Sequence, residues 1–177
     1  TMLRRFVRDV GLPVCIRLDG GGEFEGAFEE GWIDTCIELG IKLQKTDPES
    51  PESNGVAERA NRTLITIART MMLAAAVPKE LWPYAVQHAA FLDSLFVPIG
   101  KTQSPYFAWF HFKPDLSRLR VWGSRVTYVH TKYTQKLDMP AHQALYLGIS
   151  PETGGYILLD LQGADAQVVT SNDVRLK

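Results

Sequence analysis

Apolar positions change their period along the chain, and the changes mark out the elements. Met2 to Val10 has helical spacing and is stopped by Gly11 and Pro13. Val14-Cys15-Ile16-Arg17-Leu18 is a short β-rich apolar run, the texture of a buried parallel strand. From Phe24 to Leu39, Phe28, Trp32, Cys36 and Leu39 recur at helical spacing until Gly40 ends the helix. Ile41 to Gln44 predicts another short strand, and the Pro, Ser and Asn residues between Lys45 and Gly55 predict a loop. Val56 to about Val77 is strongly helical, with Ala57, Ala60, Leu64, Ala68, Met71 and Ala75 on one stripe. Glu58, Arg62 and Arg69 share another face. Pro78 breaks that helix, and Glu80 to Phe96 predicts the next, built on Leu81, Trp82, Tyr84, Ala85, His88, Ala89, Phe91 and Leu92. Ser104-Pro105 opens a short aromatic helix whose rings, Tyr106, Phe107, Trp109 and Phe110, are expected in the core.

Beyond a polar, proline-containing connector at Lys113 to Leu119 the period shortens. Arg120 to Val129, Ala144 to Ile149, Gly155 to Asp160 and Gln167 to Ser171 read as strands. Pro151-Glu152-Thr153-Gly154 and Gln162-Gly163 supply turns between them. This is the pattern of a small antiparallel barrel, too small to hold much core alone and so expected to dock on the helices. The chain is therefore of the α/β class, with no internal repeat.

Composition narrows the function classes. At 45% hydrophobic and 22% charged over 177 residues, the chain is ordinary globular material of one domain, or one domain with a small module. No apolar run approaches the roughly 20 residues needed to cross a bilayer, so no membrane partner is expected. Cys15 and Cys36 lack metal or disulfide spacing, which points to a reducing compartment and no zinc site. The chain opens at Thr1 inside a helical pattern, the mark of a piece of a longer protein.

The net charge of −1 is unevenly distributed: residues 1 to 55 carry −5 and residues 56 to 177 carry +4. Between Lys101 and Lys136 seven basic residues, Arg118, Arg120 and Arg125 among them, face a single acid, Asp115. Such a local field can bind phosphate when the whole chain cannot. Asp47, Glu49 and Glu52 in the preceding loop oppose any approach to DNA there.

Two carboxylates stand out. Asp19 follows the first strand directly and precedes Gly20-Gly21-Gly22, which places it at the carboxyl end of a strand, where open α/β sheets keep ligand sites. Taken alone, an Asp opening a glycine turn reads equally as turn chemistry. Glu58 lies in the first turn of the long helix, where it suits the helix dipole or an ion pair with Arg62. His88 has no partner at ligand spacing and reads as a packed or surface histidine.

The segments around these acids carry a resemblance. Ile16-Arg17-Leu18-Asp19-Gly20-Gly21-Gly22-Glu23-Phe24 and Ser53-Asn54-Gly55-Val56-Ala57-Glu58-Arg59-Ala60-Asn61-Arg62-Thr63-Leu64 are similar to the second-aspartate and glutamate segments of Ty1/copia-type retrotransposon integrases. Pro114 to Gly123 and Ala144-Leu145-Tyr146-Leu147-Gly148 resemble the region after that core. The resemblance implies the second half of an RNase H-like catalytic core over residues 1–112, a linker at 113–122, and an SH3-like β module at 123–177. It implies metal-dependent DNA strand transfer with Mg²⁺ or Mn²⁺ held by hard oxygen ligands, Asp19 and Glu58. It further implies DNA contacts from Asn54, Arg59, Arg62, Arg69, Arg118, Arg120 and Arg125, transposon ends and target DNA as partners, and a homo-oligomeric full-length protein. The location implied is intracellular, in the nucleus or a cytoplasmic virus-like particle.

Departures from the pattern set up an alternative. The family's first catalytic Asp lies well upstream of the second, and only eighteen residues precede Asp19. The segment is thus expected to be inactive alone. Asp19 and Glu58 are 39 positions apart, several more than is usual, while Gly20 stands where Asn is usual and Ala60 where a basic residue is common. These changes favour, as the alternative, a domesticated or decayed module that binds nucleic acid or protein without catalysis, with Trp122, Tyr128 or Tyr133 stacking on bases.

Overall fold

The computed structural model describes residues 2–18, 27–45, 55–129, 141–162 and 166–176. They fall into two compact units, Thr1–Ala60 and Asn61–Lys177.

In the first unit, α1 (Met2–Val10) leads into β1 (Cys15–Leu18), α2 (Ala27–Glu38) and β2 (Lys42–Lys45). β1 and β2 pair in parallel, Cys15 opposite Lys42 and Leu18 opposite Lys45. Parallel neighbours need a crossover, and α2 lies on it. Buried Leu3, Cys36 and Ile41 form the core, with Val7, Ile16, Trp32, Leu39 and Leu43 packed around them. Gly40, at φ +69, ends α2, and the Ile41 N–H reaches back to the Cys36 carbonyl, the six-to-one bond of a Schellman cap. The expected parallel strand forms, but it is not buried. Its residues alternate between exposed and half-buried, because this two-stranded sheet presents only one face to the core.

The second unit joins helices to a sheet. α3 (Gly55–Ala75) starts in the first unit and carries into the second; a 3₁₀ turn at Lys79–Leu81 introduces α4 (Trp82–Leu95), and α5 is Pro105–Phe110. Five antiparallel strands follow: β3 (Arg125–Val129), β4 (Ala141–Ile149), β5 (Tyr156–Asp160), β6 (Gln167–Ser171) and β7 (Val174–Leu176), in the order β6-β5-β4-β3-β7. β6 and β7 sit on opposite edges, yet only Asn172 and Asp173 separate them in sequence. Laid flat, the edges would be roughly 19 Å apart at about 4.8 Å per strand, whereas three Cα steps span at most about 11 Å. The sheet must curl.

The sheet docks on the helices through one core. Ala68, Leu81, Ala85 and Ala89 pack with Trp122, Leu147 and Ile157, and the Trp122 indole donates to the Leu147 carbonyl at 2.8 Å. The stripe on α3 is used unevenly: Ala57 and Ala60 are exposed, whereas Ala68 is buried. β3 begins five residues later than its apolar pattern suggests, because Gly123 makes a turn at φ +76 and donates to the Tyr146 carbonyl.

The aromatic rings of α5 are not core. The Ser104 hydroxyl caps the helix by accepting from the Phe107 N–H, but none of the six helical residues is buried. Trp109 and Phe110 are about half exposed. A helix this short cannot lay a continuous stripe on a neighbour, so Tyr106, Phe110 and Phe112 pack on one another instead, at centroid distances of 4.6 to 5.8 Å.

Candidate functional site

The parallel register of β1 and β2 brings their carboxyl ends level, Leu18 beside Lys45. The chain leaves the first strand at the residue before Asp19 and the second on its way to α3. Asp19 and Asn54 themselves lie outside the described residues, as does Tyr133. Glu58 is exposed in the first turn of α3, where a carboxylate is favoured by the unpaired N–H groups of the helix start. Helix spacing would allow a Glu58–Arg62 ion pair, but none forms between them among the described residues.

The predicted arginines divide into two groups by what holds them. Arg62 and Arg69 are exposed on α3. At about 100° per residue they fall within roughly 40° of Glu58 around the helix axis, so acid and cations share one face. Arg59 is exposed as well, and its guanidinium folds back over Gly55, 3.3 Å from where a Cβ would stand. Arg125 is exposed on β3. Arg118 and Arg120 are half-buried and already engaged. The Arg118 guanidinium lies 4.8 Å from the centre of the Tyr156 ring, a cation–π contact. Arg120 donates to the Ser117 carbonyl at 2.6 Å and to the Leu119 carbonyl at 2.7 Å. Arg118 thus ties the connector to the sheet, and Arg120 ties the connector to itself.

Two stacking candidates are excluded by burial. Trp122 and Tyr128 are both closed off from solvent, and the Tyr128 hydroxyl donates to Asp160 at 2.7 Å. Asp160 also accepts from the Gln162 N–H and lies 3.2 Å from His142 Nδ1. Burial alone would raise the Asp160 pKa; the Gln162 N–H, the Tyr128 hydroxyl and His142 outweigh it and hold the carboxyl below its ordinary value. Tyr128 shifts the opposite way, raised by burial and then by its bond to the carboxylate. Sequence reading missed this network because its members come from three strands, and their pairing, Tyr128 opposite His142 and Ala144 opposite Asp160, exists only once the register is set.

His88 is the packed histidine its sequence context suggests. It is 3% exposed, and burial depresses its pKa to about 4, so the ring is neutral at physiological pH. Among the described residues its Nδ1 has no hydrogen-bond partner, and the Tyr146 ring meets it edge-on at 5.6 Å.

Carboxylates are the right donors for a hard divalent ion, and Glu58 is one such donor with room around it. No group of three His, Cys, Asp or Glu side chains capable of holding a metal occurs among the described residues. Among those residues, too, no helix is long and apolar enough to cross a membrane.

No protein-family model matches the sequence. Among curated proteins, the retrovirus-related Pol polyprotein from transposon TNT 1-94 of Nicotiana tabacum is 36% identical over 163 residues, covering 90% of this chain and 12% of its own length. The corresponding polyproteins from transposons RE1 and RE2 of Arabidopsis thaliana are 34% identical over 146 residues and 30% over 145, each covering 81% of this chain and 10% of theirs. The chain thus spans about a tenth of the length of the curated relatives it matches. Among solved structures, a chain of the simian T-cell lymphotropic virus intasome in complex with PP2A regulatory subunit B56 gamma gives a TM-score of 0.49 at 21% identity, over 98% of this chain and 61% of that one. That likeness is partial. On its sequence, which runs at 30–36% identity through four-fifths or more of its length, this chain is a homologue of one segment of the retrovirus-related Pol polyproteins of plant copia-type transposons.

Proposed function

We propose that the chain is an integrase segment of such a polyprotein: the second half of an RNase H-like catalytic core followed by an SH3-like β module. In the whole protein it would take part in metal-dependent joining of transposon DNA ends to target DNA. The observation that carries the reading is the level pairing of β1 and β2, which ends one residue before Asp19, with Glu58 exposed at the start of the helix that follows β2. In this reading Asp19 and Glu58 supply two of the carboxylates that hold Mg²⁺ or Mn²⁺. A bound ion of this kind polarises a phosphoryl oxygen and stabilises the leaving oxygen. Arg62 and Arg69, on the same helix face as Glu58, would grip phosphates and set the register of the DNA, joined by Asn54, Arg59 and Arg125. Within the full-length protein the segment would work in a homo-oligomer on DNA, in the nucleus or a cytoplasmic virus-like particle.

Calorimetric titration of Mn²⁺ against the wild-type chain and the Asp19→Asn/Glu58→Gln double variant tests the metal role. Weak binding that the double variant loses is the expected result; identical isotherms would remove both residues from any metal site.

A second reading, a nucleic-acid-binding module without catalysis, is favoured by the exposed Arg62 and Arg69, which need no metal to attract a backbone. Duplex affinity that falls steeply with salt and ignores Mg²⁺ would select it.

A further inference from the structure

Beside its exposed arginines the helical hairpin carries an apolar groove that the DNA reading does not use, although Arg69 stands at its rim. α3 and α4 leave an open groove of about 450 Å³ between them. Its walls are Ile65, Met72 and Leu73 from α3, with Trp82 and Val86 from α4. Three of these large side chains reach far into solvent: Ile65 is 44% exposed, Leu73 75% and Trp82 57%. Adjacent apolar residues exposed in this way mark an interaction surface. Among the described residues, the charged ones lining the groove are Arg69 and Lys79, both cationic, and neither is held there by an ion pair.

The shape and chemistry select among occupants. The α3 wall runs from Ile65 to Leu73, about 12 Å at 1.5 Å per residue, the length of two turns of a helix. An extended peptide would bring unpaired N–H and C=O groups against an apolar surface, at a cost of several kcal/mol per group. A helix satisfies its own backbone and presents apolar side chains at i, i+4 and i+7. The two cations on the rim then favour acidic residues beside that stripe. We propose that this groove docks an amphipathic helix of a partner protein, its apolar stripe seated between α3 and α4 and its acidic flank facing Arg69 and Lys79. The surface is independent of the metal-site reading and does not require it.

The test uses two synthetic helical peptides with the same leucine stripe, one flanked by Glu and one by Lys, titrated against the 177-residue chain by fluorescence anisotropy. The Glu peptide is expected to bind, with the Lys peptide at least tenfold weaker. Leu73→Asp and Trp82→Ala should each weaken the Glu peptide by about tenfold or more, as loss of a central anchor does. Arg69→Glu should abolish the preference, since Lys79 then shares the rim with one acid. Leu73 and Trp82 are exposed, so circular dichroism should show both variants folded, and Glu58→Gln should leave peptide binding unchanged. Equal binding of the two peptides, no binding of either, or full affinity in the folded Leu73→Asp variant would overturn the proposal. So would a dimer in sedimentation that Leu73→Asp converts to monomer.

Discussion

Gly123 approaches Ala75 so closely that a Cβ on the glycine would lie 2.3 Å from the alanine Cβ. The turn before β3 is pressed against the end of α3, at φ +76, and both facts exclude a side chain. Gly123→Ala should cost about 2–4 kcal/mol, the sum of left-handed strain and overpacking. Adding Ala75→Gly should recover the steric share but not the strain. Urea unfolding of the two single variants and the double variant measures the coupling directly.

One residue beyond α3, Ala76 adopts φ +50 while the Val77 N–H reaches back to the Met72 carbonyl. This is the position that glycine fills in most helix ends. Ala76→Gly is predicted to stabilise the chain by about 0.5–1 kcal/mol. A fall in the urea midpoint would contradict it.

Tyr128→Phe removes a donor from a buried carboxylate and should cost about 1–3 kcal/mol at neutral pH. The folded Asp160 has a lowered pKa. Its stabilisation is therefore present above the ordinary carboxylate value, near 3.9, and is lost as pH falls through the folded value. The gap in Tm between wild type and Tyr128→Phe should hold from pH 7 down to about 4 and narrow below it. A gap that widens in acid would show that the hydroxyl does not act through the carboxylate.

His88 is depressed from 6.5 to about 4. Because the fold prefers the neutral ring, stability is complete above the unfolded value of about 6.5 and is lost as pH falls toward 4. The loss attributable to His88 is on the order of 2–3 kcal/mol across that window. In His88→Gln the slope of Tm between pH 6.5 and 4 should flatten, which differential scanning calorimetry at five pH values would register.

The arginines should separate in DNA binding as they do in the fold. Arg62→Ala and Arg69→Ala should each weaken duplex affinity across all sequences and reduce the salt slope by about 0.9. Arg120→Ala should change the salt slope little and lower stability instead, since its guanidinium is already bound to the Ser117 and Leu119 carbonyls. Electrophoretic mobility shifts at three salt concentrations, beside a thermal melt, distinguish the two effects.

The helices and most strands could be read directly from the sequence. Gly11, Gly40 and Pro78 stop elements where the apolar periods end, and Ser104 caps α5 as its hydroxyl allows. The short β7 was missed, since three residues at the end of the chain carry no period of their own. The burial of the α5 rings was misjudged because aromatic content reports a tendency to pack, whereas the partner surface is set elsewhere in the fold. The sheet's docking on the helices was correctly expected, and Trp122, Leu147 and Ile157 carry it. For the site, helical spacing put Glu58, Arg62 and Arg69 on one face, and their expected roles came from the resemblance of the segment around Glu58. The sequence could not separate Arg62 and Arg69, exposed on a helix, from Arg118 and Arg120, occupied within the second unit.

What the sequence determined by itself was local: element type, capping, and the kinship that 36% identity to a transposon polyprotein makes plain. These follow from neighbours within a few positions, or from whole segments aligned in order. Only tertiary structure decided which residues meet across strands, as Tyr128, His142 and Asp160 do, and which cations are already engaged. The reason is physical: a side chain's partners depend on strand register and helix packing, and both are settled by the summed burial of many residues far apart in the chain.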